Sequence, residues 1–194
     1  MLRTEIIQRL INKINAKSYL EIGMGPGINF NSIVCDYKIS VDPNPCVPVS
    51  FKMTSDDFFK QNTEKFDIIF IDGLHWCKQV YFDIINSLKI LNTNGYIICH
   101  DMNPYNEFVQ RYPEPMSGAP WTGDCWKAWV KLKTERKDLY MRVIDTDYGC
   151  GIISEGYQDL IDVEDPYNLN YEFFNLNRTK LLNLITVDDF VKSL

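Results

Sequence analysis

No apolar run in this sequence approaches the ~18 residues that a membrane helix needs, so no spanning segment is expected. Its first residues, Met1-Leu2-Arg3-Thr4-Glu5, lack an extended apolar core and a small-residue cleavage site, which points away from a secretory leader. Basic charge is in deficit. Twenty Lys and Arg stand against 26 Asp and Glu, a net charge of −6, whereas binding to a phosphate backbone usually requires a basic face. Nucleic acid is therefore not an expected partner, and small polar molecules remain open. The six cysteines, Cys35, Cys46, Cys77, Cys99, Cys125 and Cys150, include no C-x-x-C pair. Neither a disulfide framework nor a zinc site has its spacing, and reduced thiols in a cytoplasmic protein are the expectation. Histidine is scarce as well, at two in 194 residues.

What is present is a regular alternation of short elements. Ile6, Ile7, Leu10, Ile11 and Ile14 have helical spacing over residues 4–15. Strands are then expected at about 18–22, 38–42, 48–53, 66–71 and 96–99, with helices near 29, 56–59, 77–91 and 124–137. Fully apolar runs such as Ile68 to Ile71 suit a parallel sheet buried on both faces. Residues 141–144 and 150–153 read as two strands joined by Asp145-Thr146-Asp147-Tyr148-Gly149, hence an antiparallel edge hairpin. The fold class is α/β: a Rossmann-like, seven-stranded, mostly parallel sheet with helices on both faces. The length fits one domain over 1–194, with 157–194 a C-terminal extension packed on it. Thr186-Val187-Asp188-Asp189 reads as a capping box opening a last short helix.

Tyr19-Leu20-Glu21-Ile22-Gly23-Met24-Gly25-Pro26-Gly27 carries the most information. An apolar strand enters a tight glycine turn, with a carboxylate before the first glycine. Glycine permits positive φ and lets a ligand approach bare backbone. A dinucleotide turn would need glycine at position 28, where Ile28 stands, and a phosphate loop would need a Gly-Lys-Ser/Thr ending. Glu21 would repel a phosphate but not a sulfonium or an ammonium. In open α/β sheets ligands bind beyond the carboxyl ends of the strands. Those ends carry Glu21 with Gly23, Met24, Gly25 and Gly27, then Asp42, Ser55-Asp56, Asp72 and His100-Asp101. Asp42 follows the turn by about twenty residues, where a carboxylate can accept from ribose hydroxyls. Any one acid after a strand is often only a turn or cap residue; the joint pattern is what points to a ligand.

Glu-x-Gly-x-Gly-x-Gly resembles motif I of the class I S-adenosylmethionine (SAM) methyltransferases. The resemblance spans about 1–154 and implies SAM as cofactor, with Asp56 toward the adenine amino group and Asp72 nearest the methionine end. The phrases Thr54 to Phe59, Phe66 to His75 and His100-Asp101-Met102-Asn103-Pro104 are similar to small O-methyltransferase-like domains of glycan and secondary-metabolite pathways, such as the macrocin-type sugar O-methyltransferases. A sugar, glycan or other small polar acceptor is implied. Both histidines, His75 and His100, fall at strand ends, and methylating an alcohol oxygen requires its proton to be removed, a task suited to histidine. In catechol-type enzymes a lysine base stands three residues after the corresponding aspartate, the offset of His75. His75, His100 and Asp101 are the catalytic candidates. Related enzymes often hold Mg²⁺ between acids after these two strands; here Asp72 and Asp101 would supply a thin ligand set, since His100-Asp101 replaces an acid pair. Asp101-Met102-Asn103-Pro104-Tyr105 also resembles the Asn-Pro-Pro-Tyr signature of amino-group methyltransferases. That signature belongs after the preceding strand, where this chain has Asp72-Gly73-Leu74-His75. The long segment 103–123 offers Asn103, Tyr105, Arg111 and Trp121 as acceptor contacts, because long loops in compact domains are often functional. Trp126 and Trp129, three apart, are expected to pack a helix onto the sheet. A SAM-binding module without turnover is the alternative reading.

Overall fold

The structure is a computed structural model and describes residues 1–114, 116 and 118–194. Helix α1 (Arg3–Ile14) buries Ile6, Ile7, Leu10 and Ile11 along one face. The chain continues through β1 (Ser18–Ile22), α2 (Ile28–Ser32), β2 (Tyr37–Val41), α3 (Ser55–Gln61), β3 (Phe66–Ile71), α4 (Cys77–Lys89) and β4 (Leu91–Cys99). It ends with α5 (Trp126–Glu135), β5 (Leu139–Ile144), β6 (Cys150–Glu155), α6 (Tyr171–Leu182), β7 (Leu184–Ile185) and α7 (Val187–Lys192). The sheet order is β2-β1-β3-β4-β6-β5-β7. Its strands are parallel except β6, which pairs antiparallel with both β4 and β5.

Alternation along the strands builds two cores. Leu20, Ile22, Ile69, Ile71, Ile97 and Cys99 face α4 and α5, where Trp126 and Trp129 are fully buried as the helix spacing predicts. Tyr19, Ile68, Phe70 and Ile98 face the other way, onto α1 and Phe190 of α7. Burying both faces of a parallel sheet is what the continuous apolar runs require.

Three features differ from the sequence reading. The strand expected at 48–53 does not form. Pro43, Pro45 and Pro48 remove ladder donors, and the segment keeps one bridge, Val41 to Phe51, in which the Phe51 amide donates to the Ser40 carbonyl at 3.0 Å. The seventh strand is β7, too short to show a pattern of its own. It pairs with β5, so the β5–β6 hairpin lies one strand in from the sheet edge. The extension also holds α6, which turns only Phe174, Leu181 and Leu182 inward. Buried Lys133 fastens its end by donating to the Lys180 carbonyl and to Asn183 Oδ1, each at 2.8 Å. A cation at a helix C-terminus is favourable, although burial pushes the Lys133 amine down to about 8. The Thr186–Asp189 capping box opens α7 as the sequence suggests.

Candidate active site

The strand order reverses between β1 and β3, which places a crevice beyond their carboxyl ends. Gly23 leaves β1 with φ 83°, and a Cβ there would overlap the Asp72 carbonyl at the end of β3. Glycine is required by both facts. The Gly23 amide donates to the Val41 carbonyl at 2.8 Å, tying the turn to β2 as well. Asp42 completes the fastening: one carboxylate oxygen accepts from the Met24 and Gly25 amides at 3.0 and 2.9 Å, and the other from Asn44 at 2.8 Å. Asp42 is thus a loop-fastening residue whatever else it binds. Gly27 (φ 75°) starts α2 and lines neither cavity described below.

Glu21 is buried under the turn, where it accepts from the Tyr19 hydroxyl and from Asn29 Nδ2, the latter at 2.9 Å. Asn29 is held in turn by the Thr4 hydroxyl of α1, which donates to its side-chain oxygen at 2.7 Å. Burial outweighs these hydrogen bonds and pushes the Glu21 carboxyl up to about 7.

A dense charge cluster stands where β3, β4 and the β5–β6 turn meet. His75 Nε2 lies 3.2 Å from Asp101 and 3.4 Å from Asp72, while its Nδ1 lies 3.2 Å from the Trp121 carbonyl. His100 Nδ1 lies 3.0 Å from Asp101 and 3.4 Å from Asp72. Asp101 takes φ 64°, an uncommon conformation that aims its carboxylate back at both rings. From α1, Arg3 donates to Asp72 at 2.8 Å and to Asp147 at 3.1 Å, and its guanidinium lies 3.2 Å from His100 Nδ1. Burial opposes the charges of Arg3, Asp72, His75, His100 and Asp147, and the neighbouring charges prevail. Both imidazoles are raised, His100 the further, by Asp72 and Asp101. Asp72 is held well below the usual carboxylate range by His100 and His75, and Asp147 falls to about 2 beside His100 and Arg3. The facing carboxylates favour the protonated form of both rings.

Two cavities flank Gly23. One, about 510 Å³, contains Glu21, Gly23, Met24 and Gly25 with Asp72, His75, His100, Asp101 and Trp121. The second, about 460 Å³, contains Gly23, Gly25, Asp42, Ser55, Asp56 and Asp72 between Ile22, Val41, Pro43 and Leu74. Gly23, Gly25 and Asp72 border both, and each volume suits a small ligand. Gln79 donates to Asp56 at 3.1 Å and to Asp83 at 3.0 Å, and burial pushes Asp83 up to about 6. Trp121 packs its ring 4.8 Å from His75 and donates its indole N–H to the Arg111 carbonyl at 2.6 Å. Arg111 itself points elsewhere, its guanidinium 5.9 Å from the Phe108 ring, and contributes to the crevice through that carbonyl alone. Asn103 and Tyr105 open onto a third cavity on the far side of Tyr148.

Arg3, Asp147, Tyr148 and Asp83 escaped the sequence reading. Arg3 sits in a first helical turn, where a cation is unfavourable. That misplaced charge, and the two acids in an Asp-Thr-Asp-Tyr-Gly turn, were the available signals.

Residues 42–102 match the family model of a methyltransferase domain. No curated protein matches the chain. Among solved structures, the O-methyltransferase from Bacillus cereus in complex with SAH shares 16% identity at a TM-score of 0.58, covering 78% of this chain and 79% of that one. TomG from Streptomyces achromogenes, an O-methyltransferase of tomaymycin synthesis in complex with SAM, shares 13% at 0.55, covering 79% of each chain. MycE, a methyltransferase of mycinamycin biosynthesis in complex with Mg, SAH and mycinamycin VI, shares 12% at 0.50, covering 82% of this chain and 50% of that one. At these identities the likeness is one of fold.

Proposed function

We propose that this chain, which has the class I SAM-dependent methyltransferase fold and carries a methyltransferase domain, methylates a hydroxyl of a sugar or similar polar acceptor. The reading rests on one observation above others. A cavity edged by Asp42 and Asp56 joins, across Gly23 and Asp72, a second cavity that holds both histidines of the chain. The first suits an adenosine, with Asp42 toward the ribose and Ser55 and Asp56 toward the base. Asp72, ionised well below neutrality, suits the sulfonium at the junction. SAM held there would supply an electrophilic methyl group, the acceptor oxygen gaining that methyl and losing its proton while the carbon–sulfur electron pair stays on the sulfur of departing SAH. The protein's part is to align the reactants and take the hydroxyl proton.

His75, paired with Asp101, is the proton acceptor in this reading. Its Nδ1–H is committed to the Trp121 carbonyl, which leaves Nε2 as the atom that exchanges the proton. A sulfonium beside Asp72 opposes the imidazolium charge and favours the neutral ring that a base requires. Mg²⁺ fits this donor set poorly. It prefers oxygen ligands in octahedral array, whereas Asp72, His75 and Asp101, with ligand atoms within 4.8 Å of one another, offer two carboxylates and an imidazole, and Asp72 already accepts from Arg3.

The test is calorimetry with SAH, followed by conversion of SAM to SAH in the presence of p-nitrophenyl glycosides. SAH binding with turnover is expected. Absence of SAH binding overturns the reading, and binding without turnover on any acceptor favours a non-catalytic module. His75→Gln should lower kcat by about 10²–10⁴ with SAH affinity nearly unchanged. Because the imidazole is raised in the SAM-free protein, the acid limb of kcat/KM for SAM should lie above the ordinary ~6.5, and the limb of kcat should lie below it once the sulfonium is bound. Activity should persist in excess EDTA; a loss reversed by Mg²⁺ would return the metal to the mechanism.

A further inference from the structure

The third cavity, about 490 Å³, opens beside the charged crevice, and Asp147 and Tyr148 form the wall common to both. Its lining differs from that of the crevice. Tyr105 and Tyr148 are 54% and 40% exposed, with ring centres 6.0 Å apart and planes inclined by 38°. Around them stand the side chains of Asn103, Asp145, Asn175 and Arg178.

The platform is built rigidly. Asp147, Tyr148 and Gly149 are three successive left-handed residues, φ 48°, 59° and 89°. Two of them are not glycine, a conformation that costs energy and clusters at functional sites. The turn is pressed onto the loop after β4: the Asn103 amide donates to the Tyr148 carbonyl at 2.7 Å, and a Cβ on Gly149 would overlap Asn103. Asn103 is fixed at both ends, donating to Asp145 at 2.9 Å and accepting from Arg178 of α6. Arg178 also donates to the Pro104 carbonyl at 2.8 Å, to the Tyr171 hydroxyl at 3.0 Å and to Asn175 at 2.9 Å. Its terminal N–H groups are thus committed, and Asp145 and Asp147 stand close by, so an anionic ligand is disfavoured. Exposed aromatic faces ringed by fixed amide and carboxylate groups match a neutral hydroxylated ring, whose C–H face packs on tyrosine while its hydroxyls bond at the edge.

We infer that this cavity is an acceptor subsite for a second sugar ring, one unit beyond the ring that is methylated, so that the enzyme acts on di- or oligosaccharide units in preference to monosaccharides. The inference rests on the proposed hydroxyl methylation and adds the size of the acceptor to it.

The experiment compares kcat/KM for p-nitrophenyl monosaccharides and the matching disaccharides, using the full chain. Wild type should favour disaccharides by about tenfold or more, and Tyr105→Ala and Asn175→Ala should each bring that ratio toward one. A ratio near one in wild type overturns the subsite while leaving hydroxyl methylation standing. If no glycoside is methylated, saturation-transfer NMR of a disaccharide on the SAH-loaded protein decides. Contact that weakens in Tyr105→Ala supports the subsite, and absence of contact overturns it.

Discussion

The two cavities that meet at Gly23 are made from the same turn yet govern charge in opposite ways. On the side of the histidines, ionisation is set by neighbours: Asp147 is drawn down to about 2 and both imidazoles are raised by facing carboxylates. On the side of Ile22, Val41, Pro43 and Leu74, burial decides, and Asp83 rises to about 6. Glu21 crosses the divide. It borders the charged cavity but behaves as Asp83 does, rising to about 7 because desolvation outweighs its two hydrogen bonds. A mutually compensated cluster keeps its charges while waiting for a reactant, whereas a carboxyl raised by burial gains most when a cation arrives to pair with it.

The largest effect should come from removing the element both sides depend on. Gly23→Ala forces a Cβ into the Asp72 carbonyl at φ 83°. It should cost about 3 kcal/mol of stability or more, by urea unfolding, and abolish SAH binding. A stable variant that binds SAH would show that the cavities do not share that junction. Glu21→Gln probes the divide itself. The folded protein retains a proton that the unfolded chain releases above about 4.5, so stability falls as pH climbs from about 4.5 to about 7. Glutamine accepts the same two hydrogen bonds without the charge. The variant should match wild type near pH 5 and exceed it by up to about 3 kcal/mol at pH 8, in thermal unfolding at both pH values. Equal stability at both would place Glu21 with the compensated charges. Asp42→Asn should act least. Its amide would set a donor against the Asn44 amide or the Met24 and Gly25 amides, costing about 1–2 kcal/mol in SAH affinity by calorimetry. Unchanged affinity would mean that the turn holds without this acid.

What could be read from the sequence was what repeats or sits next to something regular. The apolar strands showed themselves by continuous runs, and residues that follow a strand at once, such as Gly23, Asp72 and His100, inherit their place from it. The segment 48–53 misleads because Val49, Phe51 and Met53 alternate as a strand would, while three nearby prolines cannot serve a ladder. The helix α6 and strand β7 went unread because each turns few apolar residues inward. Arg3 and Asp147 gain their roles from contacts with distant parts of the chain, which no local pattern announces. Arg111 shows the converse: a conspicuous side chain whose contribution is its carbonyl.

Arg3 has a consequence for how the molecule comes together. Its contacts to Asp72, His100 and Asp147 span 69, 97 and 144 positions of chain. Each closure surrenders conformational freedom that nearby contacts do not require. The charged mouth therefore cannot be assembled by any local stretch of chain, and no excised fragment reproduces it. A polypeptide still lacking its β5–β6 turn has a first helix, four parallel strands and an arginine with one of its acids missing.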